Sequence, residues 1–158
     1  LTDGNVTHCE VFKTKKPEDK KDMNATYRRA FLVSEQIKHL AKKYEPDLIS
    51  IEGLAFGMRG NATRDLAGLQ FVIVVDLLVR MEYDIEVVSP LSVKKFATGS
   101  GKAKKKEMIE SLPEDTLKKF EKLGVKKTTG LADLADAYWI GLTAESIRKN
   151  KETKEPSK

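Results

Sequence analysis

The chain has 158 residues, 40% of them hydrophobic and 34% charged, with a formal net charge of +5; this is the length of one ordinary domain and a globular rather than disordered composition. No apolar run approaches ~18 residues without a charge, and no basic segment followed by an apolar stretch marks the start, so neither a membrane span nor a secretory leader is expected. Cys9 is the single cysteine and His8 and His39 are the two histidines, which excludes an internal disulfide and a zinc cluster, fits a reducing cytoplasm, and leaves the positive charge as a hint of a polyanionic partner.

In chain order, Asp3-Gly4 reads as a turn, and the β-prone residues after it would put Val6, His8, Glu10 and Phe12 on one strand face, as at the end of a hairpin. Past a charged loop around Pro17, Asn24 can cap a helix whose Val33, Ile37, Leu40 and Tyr44 keep helical spacing, and Pro46 ends it. Residues 47–51 (DLISI) and 85–88 (IEVV) read as short buried strands. The helix between them, of roughly twenty residues, is long enough for a right-handed crossover that leaves the strands parallel. FVIVV at 71–75 has strand propensity, but Leu66, Leu69, Ile73, Leu77 and Met81 keep the helical period, so the run is read as helix. Lysines and glycines fill 94–106, a helix follows, and Pro113 and Gly124 punctuate the next stretch. A last helix is expected over about 130–148, and residues 149–158 are expected to be a disordered basic tail.

Three acids stand out. Glu52 directly follows the first strand, where open α/β sheets place their ligands, although a solvated strand end needs no function. Asp133 and Asp136 in LADLADAYWIGLTA share a helix face, and their stripe continues through Ile140 and Ala144 toward the body of the protein. Acids in a first helical turn also complement the helix dipole. A pair facing inward, however, costs several kcal/mol without a cation, and the segment holds no arginine, so a metal is the economical compensator. Hard carboxylate oxygens suit magnesium or manganese, two such ions about 4 Å apart being able to hydrolyse a phosphodiester.

VKKFATGSGKAKKK carries six lysines, Lys94, Lys95, Lys102, Lys104, Lys105 and Lys106, and no acid. A solvated charge run is the plain reading. A helix beginning near Gly101 would instead set cations against its own positive end, and amides freed by Gly99 and Gly101 would join the lysines in a phosphate cradle for DNA. A nucleotide-binding P-loop fails, because Phe96 stands where glycine is needed and Ala103 where serine or threonine is. GLAFGMRGNATR adds Phe56, Arg59 and Arg64, an aromatic among basic neighbours that can stack on an unpaired base or fold into the core.

PDLISIEG, VVSPLSVKKFATGSGKAKKKEMI and LADLADAYWIG, in that order, resemble the successive signatures of RuvC-type Holliday junction resolvases of bacteria and phages, within the RNase H-like superfamily. The resemblance runs from about Pro46 to Gly141. It implies an α/β fold, an RNase H-like mixed sheet flanked by helices, with residues 1–148 as a single nuclease domain. It also implies that Glu52, Asp133 and Asp136 are three of four metal-binding catalytic acids, that Lys94 and Lys105 lie near the scissile strand, and that Phe56 belongs to a junction-contacting loop. The implied activity is magnesium-dependent cleavage of four-way or branched DNA junctions, with manganese as a substitute. The implied assembly is a homodimer through the helix at 62–82, acting in the cytoplasm at the nucleoid or in a phage's host. The family's fourth acid ends a first strand ahead of the hairpin; Asp3-Gly4 reads as a turn, so that strand and its acid are expected to be missing. Two alternatives stay open: a non-catalytic relative that binds branched DNA by shape and charge, and another RNase H-like nuclease, such as one acting on RNA–DNA hybrids.

Overall fold

Asp22 opens the first helix, α1 (Met23–Tyr44), of a computed structural model that describes residues 1–15, 22–54, 61–123 and 130–153, without the side chains of Met23, Asn61 and Ala62. The Asp22 carboxylate accepts from the Ala25 N–H at 3.0 Å, a cap worth about 1 kcal/mol. The cap therefore lies two residues ahead of the expected Asn24, because only from there does a side chain reach the free amides of the first turn. At the other end Glu45 turns left-handed (φ 42) and its N–H donates to the Ala41 carbonyl, just before Pro46 makes further helix unfavourable.

Strand β1 (Ile49–Glu52) is followed by α2 (Asn61–Val74), its π-helical extension Val75–Arg80, and β2 (Ile85–Val88). The helical period thus prevails over β-branching at 71–75, with Ile73 and Leu77 buried. The Ile49 N–H donates to the Asp84 carbonyl at 2.9 Å and the Gly53 N–H to the Val88 carbonyl at 2.7 Å. Partner numbers rise together, so the pair is parallel, as a helical crossover requires. A side chain at position 53 would stand 3.2 Å from Val87 Cγ1 and 3.4 Å from the Val88 carbonyl oxygen; glycine directly after Glu52 lets the strands close to their last residue.

The chain forms two compact units, one of Leu1–Val11, Ser50–Gly53 and Glu86–Lys158, the other of Phe12–Ile49 and Leu54–Ile85. In the second unit α1 lies on α2 and its extension. Asp76 is buried there, accepting from Ser34 Oγ at 2.7 Å and from Arg80 at 2.6 Å, so its charge is fully answered. The first unit adds α3 (Pro90–Thr98), α4 (Lys105–Glu110), α5 (Glu114–Lys122) and α6 (Leu131–Glu152). Helices α3 and α4 pack on α6 around buried Val93, Met108, Leu134, Ala135, Trp139 and Ala144.

The strand expected near the N-terminus is not formed. Thr2 and Asn5 make one isolated bridge, and residues 6–13 pair with no described strand. Val6 is buried while His8, Glu10 and Phe12 are exposed, because without a ladder partner nothing enforces a common face. The tail expectation also needs correction, since α6 stays helical through Glu152. Two i,i+4 ion pairs, Glu145–Lys149 at 2.6 Å and Arg148–Glu152 at 3.2 Å, and a Lys151–Glu86 pair at 2.8 Å hold that last turn. No helix among the described residues is long and apolar enough to cross a membrane.

Candidate active-site cleft

The end of β1, the inner side of α3, the lysine loop and the second turn of α6 surround a cleft of about 430 Å³ within the first unit, lined by Glu52, Val93, Lys94, Lys102, Ala103, Lys104, Lys105, Met108 and Asp136. Each wall follows from local structure. Glu52 is the last residue of β1. Ser89 caps α3 by accepting from the Ser92 N–H at 3.1 Å, with Pro90 at the first helical position. Val93 is thereby buried and its neighbour Lys94 turned to the cleft rim. Buried Ala103 and Met108 form the apolar floor.

Both carboxyls are shifted upward. Partial burial pushes the Glu52 carboxyl above its ordinary range, the charge of Asp136 pushes it further, and Lys94 pulls it back. Asp136 is raised first by burial and also by Asp133, with Lys105 and then Lys94 opposing. Paired acids with upward shifts, in a cleft walled by cations, form the pattern expected where a protein prepares a site for a further positive charge.

Lys94, Lys102, Lys104 and Lys105 line this cleft, and Lys95 and Lys106 do not. Lys106 faces Glu110 at 3.6 Å instead. The cradle of free amides predicted from the glycines is corrected by the hydrogen bonds of the loop. Gly99 turns left-handed (φ 79) to end α3, and its N–H donates to the Lys95 carbonyl. The Ser100 and Lys102 amides donate to Thr98 Oγ1 and Ser100 Oγ, and the Ala103 amide to the Ser100 carbonyl. The Lys104 amide donates to Glu107 at 2.7 Å. Helix starts at Lys105, not near Gly101, and Glu107 is the anion its first turn required. The amides of Gly99, Ser100, Lys102, Ala103 and Lys104 thus already have acceptors within the protein.

The other sequence candidates separate. Asp133 is exposed rather than inward-facing and does not line the cleft, although its charge reaches Asp136; Ala144 on the same stripe is fully buried. Arg64 is exposed on α2, in the second unit, 3.8 Å from Asp65. Phe56 and Arg59 lie outside the described residues. Sequence reasoning missed Val93, Ala103 and Met108, whose apolar character gave no chemical signal. It also missed Trp139, whose buried indole N–H donates to the Met108 carbonyl; a buried tryptophan usually finds such an acceptor.

The donor set bears on a metal directly. Among the described residues no three His, Cys, Asp or Glu are grouped to hold one ion. Two carboxylates on one cleft are nevertheless a sufficient protein share for magnesium, which keeps several waters and takes further oxygens from a phosphate. Glu52 and Asp136 fit one hard divalent cation; the described residues do not assemble the acids for two.

Comparison with known proteins follows the same direction. The family model described as "Crossover junction endodeoxyribonuclease RuvC" matches residues 15–143. A protein of that name from Fusobacterium nucleatum is 33% identical over 125 residues, covering 78% of this chain and 60% of the relative, so the match spans less than two thirds of that relative's length. Another from Prochlorococcus marinus (strain MIT 9211) is 26% identical over 144 residues, 91% of this chain and 82% of the relative. Among solved structures, "Thermus thermophilus RuvC structure" superposes with a TM-score of 0.62 at 17% identity over 89% of this chain and 78% of that one, a likeness of fold.

Proposed function

The chain belongs to the RuvC family and shares the α/β, RNase H-like fold of its Thermus member, and from that membership we propose that it is a structure-selective endonuclease that cuts four-way or branched DNA junctions by divalent-metal-dependent phosphodiester hydrolysis. The observation that carries the reading is the cleft in which Glu52 and Asp136 share one space with Lys94, Lys102, Lys104 and Lys105. Four cations exceed what two carboxylates need, and a phosphate backbone is the polyanion that balances the remainder.

Glu52 and Asp136 would hold magnesium, or manganese in its place, with Asp133 adding negative charge from outside the cleft. The ion supplies Lewis acidity at a phosphoryl oxygen when bound. Lys94, whose charge acts on both carboxylates, and Lys105, whose charge acts on Asp136, would bind the scissile phosphate and neutralise charge that grows during cleavage. Lys102 and Lys104 grip neighbouring phosphates, with Lys95, Lys106 and Arg64 as outlying contacts and Phe56 and Arg59 as junction contacts. Val93, Ala103 and Met108 form an apolar floor, which strengthens the charges above it.

Helix α2 supports the proposed homodimer. Phe71 is 70% exposed, with Val72 exposed beside it and Leu78 and Val79 exposed on the extension, a run of apolar side chains that suits a partner surface. The activity is tested with labelled four-way junction and plain duplex. Glu52→Gln and Asp136→Asn are expected to bind junctions as the parent chain does and to lose magnesium-dependent nicking by 100-fold or more (on the order of 3 kcal/mol in the barrier). Loss of binding in a well-folded Glu52→Gln protein counts against the assignment. Binding by the parent chain with no nicking in any divalent metal favours a non-catalytic junction-binding relative.

A further inference from the structure

Trp139 is the only tryptophan of the chain, is 8% exposed, and lies outside the roles assigned above. Its Nε1–H donates to the Met108 carbonyl at 3.0 Å, a buried bond between residues 31 apart in sequence. That carbonyl is available for a structural reason. Helix α4 ends after Glu110, and the Leu112 N–H turns to the Ile109 carbonyl at 3.1 Å, so Met108 loses the backbone donor that a continuing helix would provide. Ser111 Oγ takes a share of the same oxygen at 2.9 Å, and the indole takes the rest. The ring is also fixed in direction, with Phe96 edge-on at 6.3 Å and Tyr138 at 5.0 Å.

Helical spacing gives this bond its consequence. Lys105 precedes Met108 by three residues and Asp136 precedes Trp139 by three, so each lies on the same helix face as the bonded residue, one turn earlier. Because α4 and α6 are packed on each other, a bond between the two later residues constrains the spacing of the two earlier ones. We propose that Trp139 is a positioning residue of the cleft: through the Met108 carbonyl its indole N–H holds α4 at the spacing from α6 that places Lys105 against Asp136. Met108 itself lines the cleft beside both residues, and Lys105 is the first of the cations that oppose the upward shift at Asp136.

The inference rests on the nuclease reading, and its test separates the two. With a single tryptophan, one indole N–H resonance reports the bond, and hydrogen exchange slowed to hours is expected; exchange within seconds overturns the anchoring whatever the protein does to DNA. Trp139→Phe keeps ring packing and removes the donor, and benzothienylalanine at 139 replaces N–H by sulfur in the same shape should the phenylalanine protein fold poorly. Either change is expected to lower kcat for junction nicking about tenfold or more, as small misplacements of reacting groups do, with KM unchanged. In a Lys105→Gln background the same change is expected to have no further effect, since both act through one contact. Additive losses, or a raised KM with kcat intact, overturn the proposal. A parent chain that binds junctions without nicking them refutes the nuclease reading instead, and the exchange rate alone then decides the anchoring.

Discussion

Asp136 sits where an ionised carboxylate is disfavoured: burial raises its pKa before any neighbour acts, and Lys105 offsets only part of that. A carboxyl whose pKa rises on folding binds its proton more tightly in the folded state, so above that pKa its ionised form opposes folding. Asp136→Asn is therefore expected to melt higher than the parent chain at neutral pH without metal, by on the order of 2 °C, and magnesium should reverse the order by stabilising only the parent; calorimetry with and without the ion checks both. Asp76 is the opposite case. Its carboxyl is held below the ordinary range first by the Ser34 hydroxyl and then by Lys38 and Arg80, against a burial cost. The stabilisation is complete above the unfolded pKa of about 3.9 and disappears as pH falls through the lowered folded value. Asp76→Ala should thus lose about 1–3 kcal/mol at pH 7, and denaturant titrations at successively lower pH should show the gap closing.

Among the elements, periodicity told helix from strand where propensity did not. Ile73 and Leu77 are buried on one side of α2 and its extension while Phe71 is exposed, which is the signature of one helical face. That exposed face tests the proposed homodimer: Phe71→Asp is expected to turn it to monomer in sedimentation at micromolar concentration, because a charge buried in an apolar interface costs several kcal/mol. The placement of Glu52 at the end of a parallel strand was also legible, since a short apolar run followed by Glu-Gly admits little else. Other local features were not. The lysine loop was misread in detail because its amides are satisfied by Thr98, Ser100 and Glu107, short polar contacts that leave no periodic trace. The Asp133–Asp136 spacing gave a shared face, but how far each acid turns inward depends on what packs on α6. That is why one lines the cleft and the other stays exposed.

At the scale of the whole molecule, the excess of lysine over carboxylate in one cleft would make the proposed DNA binding a matter of counterion release. With four cleft lysines engaged, the slope of log K against log salt should be about −3 to −4, and removing Lys102 should flatten it by about one unit without changing the preference for junction over duplex. Equilibrium binding across a salt series measures both quantities. The first unit is assembled from three separated stretches, Leu1–Val11, Ser50–Gly53 and Glu86–Lys158, and its two cleft acids come from the second and the third. At ribosomal speeds of ~5–20 residues per second, Glu52 emerges several seconds before Asp136. A nascent chain thus carries a strand-end glutamate without its cleft partner while the stretch between them is made, and the proposed metal site cannot be complete before α6 has left the ribosome.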